Sequence, residues 1–236
     1  MEDRLLGWFE EHRRDLPWRR LRDPYCVLVS EVMLQQTQVP RVIARYIDWI
    51  DRWPTAEALA AASRADVILA WQGLGYNRRA VNLHRAAQIV AAEGWPADLT
   101  ELPGVGEYTA AAVRRFAFGE PVLPVDTNVR RVLDRTGATF GPDAAEALMD
   151  LGREVCLARI PRCGACPLAE GCPSRGRRYE PLRKQSRFEG SFRQRRAETL
   201  RLVAAGDFRG LDAEAVASLE RDGLLELRAG VARLPQ

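Results

Sequence analysis

Three places in this 236-residue sequence carry residue types and spacings that could do chemistry. The first is a pair of carboxylates. Glu31 stands in the apolar run YCVLVSEVMLQQT, among Val27, Leu28, Val29, Val32, Met33 and Leu34. It is either on the one wet edge of a helix or buried for a purpose, and burial would raise its pKa and keep it protonated near neutrality. Asp126 follows Pro124-Val125 and precedes the apolar-periodic Val129, Val132 and Leu133. It reads as a carboxylate at a helix start beside Thr127, or as a buried acid with a chemical role. The second place is the turn Leu102-Pro103-Gly104-Val105-Gly106. Pro103 fixes its own φ and pushes Leu102 out of the α region. The two glycines can take φ > 0 and leave nothing in the way of an approaching group. A glycine turn feeding a helix aims backbone N–H groups outward, which attracts phosphate. The third is Cys156, Cys163, Cys166 and Cys172, spaced C-x6-C-x2-C-x5-C. Zinc and a [4Fe–4S] cluster both use four thiolates. Only one short knuckle is present, which leans towards iron–sulfur and leaves zinc open. The fifth cysteine, Cys26, lies in the apolar helix and reads as a small core residue.

The elements that must hold these groups are helical; strand alternation is nearly absent. The pattern predicts an amphipathic helix over residues 2–13, broken by Leu16-Pro17-Trp18-Arg19. A central buried helix starts at Asp23-Pro24 and ends at Gln35-Gln36-Thr37. Another covers RVIARYIDWIDRW, followed by short helices near 55–61 and 63–70. Gly73-Leu74-Gly75-Tyr76-Asn77 is a second glycine turn, opening a helix over 78–93. Leu74 and Tyr76 there are either hydrophobic staples or groups able to wedge into a base stack. Helices are also predicted from Tyr108 to Phe118 and over 142–155. Residues 175–190 shift to Arg, Pro, Gly, Ser and Gln and read as a linker. Residues 191–236 suggest helix, helix and a hairpin around Ala229-Gly230, a small winged-helix-like unit.

Composition narrows the classes. No run of 18 apolar residues exists, so no membrane span is expected. The charged start MEDRLLGWFEEHRRDLPW lacks a secretory core. We therefore expect a cytoplasmic, nucleoid-associated protein with reduced cysteines. Net charge is only +3, but nine Arg or Lys fall between 175 and 196 against Glu180 and Glu189. That strip is either a phosphate-facing surface or a solvated linker. Lys184 is the only lysine, so an amine nucleophile would have to come from that linker.

Taken together, DLPWR, SEVMLQQTQV, GLGY-x-RRA-x-NLH, LPGVG-x-YTA, VDTNVRRVL and the four-cysteine loop resemble the helix-hairpin-helix DNA glycosylase superfamily. The resemblance covers residues 1–174. EVMLQQTQV, GLGY…NLH and ALMDLG resemble the adenine DNA glycosylase (MutY) branch more than endonuclease III. It implies an all-α, two-lobed fold in one domain over 1–174, with the linker and the small C-terminal domain following. It implies a [4Fe–4S] cluster on the four cysteines, a mismatch- or lesion-containing DNA duplex as partner, and a monomer. Glu31 then looks like the acid that protonates the departing purine. Asp126 looks like the carboxylate facing the cationic sugar, with Tyr108 and Asn128 as positioning residues. Gln36, Leu74 and Tyr76 look like wedge residues; Gly104, Val105 and Gly106 hold the strand; Trp18 and Arg19 match residues near the base pocket. Cleaving an N-glycosidic bond needs an acid for the base and a carboxylate for an oxocarbenium-like sugar, which suits a neutral Glu31 and a charged Asp126. The base must also leave the stack. Bifunctional members carry a Schiff-base lysine where this chain has Tyr108, so the resemblance implies no lyase step.

Two departures keep other readings open. Adenine glycosylases of this kind usually carry a long 8-oxoguanine-recognition domain, and residues 191–236 read as something else. Thymine or uracil mismatch glycosylases also have Tyr at this position. A non-catalytic iron–sulfur DNA-binding protein would have lost Glu31 or Asp126, and both are present.

Overall fold

The structure is a computed structural model that describes residues 1–180 and 187–236. Lys184 and the middle of the expected linker lie outside the described residues. In chain order the helices are α1 (Glu2–His12), α2 (Pro24–Leu34), α3 (Val39–Arg52), α4 (Ala56–Ala60), α5 (Arg64–Trp71) and α6 (Arg78–Glu93). Then come α7 (Glu107–Phe116), α8 (Thr127–Thr136), α9 (Ala145–Glu154), α10 (Phe192–Ala204) and α11 (Ala213–Arg221). Strands β1 (Glu226–Arg228) and β2 (Val231–Arg233) pair antiparallel at the end. No described helix is long and apolar enough to cross a membrane. The fold is thus mostly helical, as the periodicity predicts. Two ends differ. The helix after the 102–106 turn stops at Phe116, because Ala117 and Phe118 both donate back to the Val113 carbonyl and Gly119 follows at φ 71°. The helix expected from 142 opens with one 3-10 turn, Pro142–Ala144.

The chain divides into two compact units: Met1–Pro24 with Glu107–Lys184, and Tyr25–Gly106 with Gln185–Gln236. The first unit is built on α1, α8 and α9. Leu5, Val129, Val132, Leu148, Leu151 and Leu168 form its core. Asp126 caps α8, and Gly137 ends it in the left-handed region at φ 64°, a glycine conformation that closes helices cheaply. Helix α9 lies very close to α8 at Gly152. A Cβ there would come within 2.8 Å of the Asn128 carbonyl oxygen.

The second unit centres on α2, whose residues Tyr25 to Met33 are all buried. A helix apolar on every side has to be enclosed. Trp49 stacks edge-on against Trp53 and Trp71, with centroids 4.8 and 5.4 Å apart. The Tyr25 hydroxyl donates to the Trp53 carbonyl (2.8 Å) and accepts from the Trp49 indole N–H (3.2 Å). Helices α4 and α5 pack on α6. The C-terminal elements join this unit: Leu200, Val203, Leu219, Leu224 and Ala232 share one apolar cluster with Ile68 and Val81. The hairpin turns through Ala229 and Gly230 at φ 50° and 75°. Two consecutive positive φ angles match the right-handed twist of paired strands.

Gly152→Ala tests the α8–α9 contact. A methyl facing backbone atoms cannot be absorbed by a side-chain rotation. Urea unfolding should show a loss of about 1–3 kcal/mol; an unchanged midpoint would mean that the two helices are not in contact there.

Candidate active site

In the first unit, Asp126 is held by three donors. Its Oδ1 accepts from the backbone N–H of Asn128 (2.8 Å) and Val129 (2.7 Å), and its Oδ2 accepts from Asn128 Nδ2 (2.8 Å). The helix-cap reading of Asp126 is therefore literally correct, and the cap also fixes where the half-buried carboxylate stands. Asn128 is fixed in turn, its Oδ1 accepting from Arg131 Nη2 at 2.9 Å. Arg131 donates onward to the carbonyls of Gly152 and Cys156, the latter at 2.7 Å. Thus α8 carries an unbroken relay from the carboxylate to the start of the cysteine loop. Tyr108 lies half-buried in the first turn of α7.

Cys156, Cys163, Cys166 and Cys172 line one cavity with Val132, Leu151 and Leu168. Arg135 braces the loop, donating to the carbonyls of Leu157 and Ala158 (2.7 Å each) and to the Cys156 sulfur at 3.4 Å. The Gly176 N–H points at the Cys163 sulfur, 3.3 Å away. All four are free thiols. Among the described residues no three His, Cys, Asp or Glu side chains are grouped as for a single metal ion. Four thiols on one apolar cavity, with N–H groups aimed at two of the sulfurs, fit a thiolate-held metal group.

Trp18 is buried in a short 3-10 turn, Pro17–Arg19. The neighbouring Arg19 is committed: Nη1 and Nη2 donate to the Asp150 carboxylate at 2.8 and 3.1 Å, and Nε pairs with Glu146 at 3.2 Å. Arg14 forks onto the same carboxylate, Nε to Oδ1 at 2.8 Å. Asp150 is 0% exposed. Burial alone would raise its pKa, but the hydrogen bonds and charges of Arg19 and Arg14 outweigh that and hold the carboxyl below its usual value.

In the second unit, Glu31 is buried at 8% exposure on α2. Of the two residues in the Gly73 turn, Leu74 is buried at 2% and Tyr76 is exposed at 42%. Gln36 is exposed too. Gln36 and Tyr76 both have positive φ, 55° and 46°. The guanidinium of Arg79 lies beneath both turns. The Leu102–Val105 turn is closed by the Val105 N–H donating to the Leu102 carbonyl (3.0 Å), with Gly104 at φ 80°. Val105 N–H is therefore spent inside the turn. A Cβ on Gly104 would strike the Asn82 side chain at 2.9 Å. Gly106 does not take positive φ, so only Gly104 uses that freedom.

A family model described as HhH-GPD superfamily base excision DNA repair protein matches residues 29–156. Adenine DNA glycosylases are similar along most of the chain. That of Mycobacterium tuberculosis is 43% identical over 86% of this chain and 78% of its own length. That of Mycolicibacterium smegmatis is 45% identical over 83% and 78%. The chain belongs to the HhH-GPD superfamily of base excision DNA repair proteins. Among solved structures, a thermostable thymine-DNA glycosylase superposes with a TM-score of 0.66 at 27% identity, covering 72% of this chain and 93% of that one. A trapped endonuclease III–DNA covalent intermediate gives 0.62 at 24% identity, over 72% and 92%, a likeness of fold. The matched HhH-GPD region holds Glu31, Gln36, Leu74, Tyr76, Tyr108, Asp126 and Asn128, and ends on Cys156.

Asp150, Arg131 and Arg79 are the residues that sequence reasoning missed. Asp150 had a faint signal, a charge between Leu148 and Leu151 on a core-facing helix. Its lowered pKa has a signed consequence. The stabilisation is full above the unfolded-state pKa, about 3.9, and is lost as pH falls through the lower folded value. Asp150→Asn should cost roughly 3 kcal/mol at pH 7. The gap from wild type should close below about pH 4 in a pH series of denaturation curves. A gap independent of pH would contradict the ionised pair.

Proposed function

We propose that this HhH-GPD protein is a monofunctional adenine DNA glycosylase acting on a duplex with adenine mispaired opposite 8-oxoguanine or guanine. The observation that carries the reading is 43% identity to a protein named adenine DNA glycosylase over 86% of this chain. Glu31 donates its proton to a purine ring nitrogen as the bond from that base to the sugar breaks. The electron pair of the bond leaves with the base. Asp126 stabilises the positive charge that develops on the sugar. Water then adds to the sugar carbon and releases a proton, leaving free adenine and an abasic site. Asn128 holds the Asp126 carboxylate through Nδ2, and Tyr108 is a second positioning residue. The 102–106 turn takes a phosphate, and Gln36 and Tyr76 meet the strand where the base leaves the stack. The chain acts as a monomer.

The four cysteines hold a [4Fe–4S] cluster in this reading. When bound, it supplies four iron–thiolate bonds that cross-link the 156–172 loop. Purified protein should contain four irons and four sulfides per chain, and Cys166→Ser should lose both the broad visible absorbance and thermal stability. One zinc per chain would refute the cluster.

The specific observation favouring a second substrate is the 27% identity and shared fold with a thymine-DNA glycosylase. One duplex set decides: A opposite 8-oxoguanine, A opposite G, T opposite G and U opposite G. Adenine should be released, and strands should break only after alkali, because Tyr108 offers no amine for strand cleavage. Asp126→Asn should lower single-turnover excision by roughly a hundredfold or more while duplex affinity stays near wild type. Release of thymine or uracil alone would shift the substrate. A wild-type protein that binds every duplex and excises nothing would make it a DNA-binding module.

A further inference from the structure

We infer that Arg79 is a positioning residue that locks the Gln35–Thr37 and Gly73–Tyr76 loops into one rigid DNA-facing edge. The inference deepens the glycosylase reading and rests on it for the identity of the strand as DNA. Arg79 is a buried cation whose neighbours in this fan are all uncharged oxygens. Nη1 donates to the carbonyls of Val32 (2.7 Å), Met33 (3.1 Å) and Gln35 (2.7 Å). Nη2 donates to Thr37 Oγ1 (3.1 Å), Leu74 O (3.2 Å) and Gly75 O (2.9 Å), and Nε to Tyr76 O (3.3 Å). One planar group therefore holds the end of α2, the loop that follows it and the glycine turn before α6. The Val32 and Met33 carbonyls belong to the last turn of α2, where helices leave acceptors open and favour a cation. The Trp71 ring lies 5.2 Å from the guanidinium, and its indole N–H donates to the Gly75 carbonyl at 3.2 Å.

The backbone shows what this grip maintains. Gln36 and Tyr76 are two of the three described non-glycine residues with positive φ. Such conformations persist only where the surroundings over-determine them, and they cluster at functional sites. Gln36 is exposed and Tyr76 is 42% exposed, its ring centroid 5.7 Å from the same guanidinium, while the carbonyls around them turn inward to Arg79. A wedge that separates stacked bases must resist being pushed back. A loop held only by its own backbone would yield; two loops pinned to one guanidinium yield together or not at all. Lysine cannot substitute, because three donors on a point charge cannot serve the seven acceptors that the five guanidinium N–H groups share.

The test uses Arg79→Lys in the full chain and a duplex with 2-aminopurine beside the target adenine, whose fluorescence rises when stacking is lost. Wild type should raise the signal. Arg79→Lys should bind undamaged duplex within about twofold of wild type and excise adenine from the paired duplex roughly tenfold slower, with most of the fluorescence rise gone. On a substrate whose adenine already lies unstacked in a bulge, the variant should recover to within about threefold, since no wedge is required there. Unstacking at the wild-type level would overturn the inference. So would equal losses on paired and bulged substrates, which mark ordinary structural damage. If Arg79→Lys melts below the assay temperature, Thr37→Val decides: it removes one acceptor, and should slow the paired substrate about threefold and spare the bulged one. A Thr37→Val protein unchanged on both overturns the inference. The unstacking signal does not depend on excision. A wild type that unstacks but never excises would sink the glycosylase reading and leave this one standing.

Discussion

Guanidinium groups donating to backbone carbonyls are the interaction on which the Gln35–Thr37, Gly73–Tyr76 and cysteine loops of this protein depend. All but one of its 35 basic Lys and Arg residues are arginine. Three of them direct their guanidinium groups mainly to backbone carbonyls. Arg79 gathers carbonyls of two loops, Arg131 gathers Gly152 and Cys156, and Arg135 gathers Leu157 and Ala158. Loops that carry function cannot satisfy their own carbonyls as helices do, and an unmet buried carbonyl is costly. A planar cation with five N–H donors can meet several at once from one side. Burial lowers the pKa of Arg79 to about 10, so it keeps its charge at neutral pH despite the desolvation. The charge strengthens each bond to a carbonyl dipole.

The same device explains how one helix links the Asp126 carboxylate to the cysteine loop in the first unit. Asp126 caps α8, and the cap fixes its carboxylate through Asn128. Arg131 lies on the next turn and fixes Asn128 while reaching the cysteine loop. Arg135, one turn further on, grips that loop again and stacks at 3.8 Å over Tyr179. The spacing of 131 and 135 is one helical turn, so both guanidiniums leave the same face. Gly152 lets α9 approach closely enough for this reach. The carboxylate and the cysteine loop are thereby joined through packed helix and hydrogen bonds.

Much of this was legible beforehand because it is local. Periodicity located the helices, and Ala229-Gly230 marked the hairpin. The burial of Glu31 follows from a helix apolar on all sides. What the sequence hid depends on where side chains end up. Leu74 and Tyr76 read alike as apolar residues on a turn, yet one is buried and the other 42% exposed. Gly106 looked equivalent to Gly104, but only Gly104 faces the Asn82 side chain and requires the missing Cβ. Arg79 stands in the ordinary basic start of a helix, and its acceptors come from residues up to 47 positions away. No spacing rule predicts that. Arg19 matched a pocket residue by motif, while its guanidinium is engaged by Asp150 and Glu146.

Strain in the Tyr76 turn also gives the C-terminal elements a place in the argument. A non-glycine residue at φ 46° costs on the order of 1 kcal/mol. Arg79 offsets that from beneath, its guanidinium 5.7 Å from the centroid of the partly exposed Tyr76 ring. Helix α10 begins beside it, with Arg193 Nη1 3.5 Å from the Tyr76 hydroxyl. On the adjoining turn of α6, Arg78 reaches Asp222 at 3.6 Å, and Asp222 also pairs with Arg196. The Arg193 and Arg78 contacts are exposed at the arginine and individually weak, while the Arg196–Asp222 pair is part-buried. Their geometry is nevertheless set by the apolar seat of Leu200, Val203 and Leu219 against Ile68 and Val81. Hydrophobic burial is not directional, so it supplies the energy, while the polar groups determine which surface α10 offers next to the turn. The segment that by composition looked like an appendage is thereby packed into the same unit as the strained loops, and it extends their exposed edge with arginine.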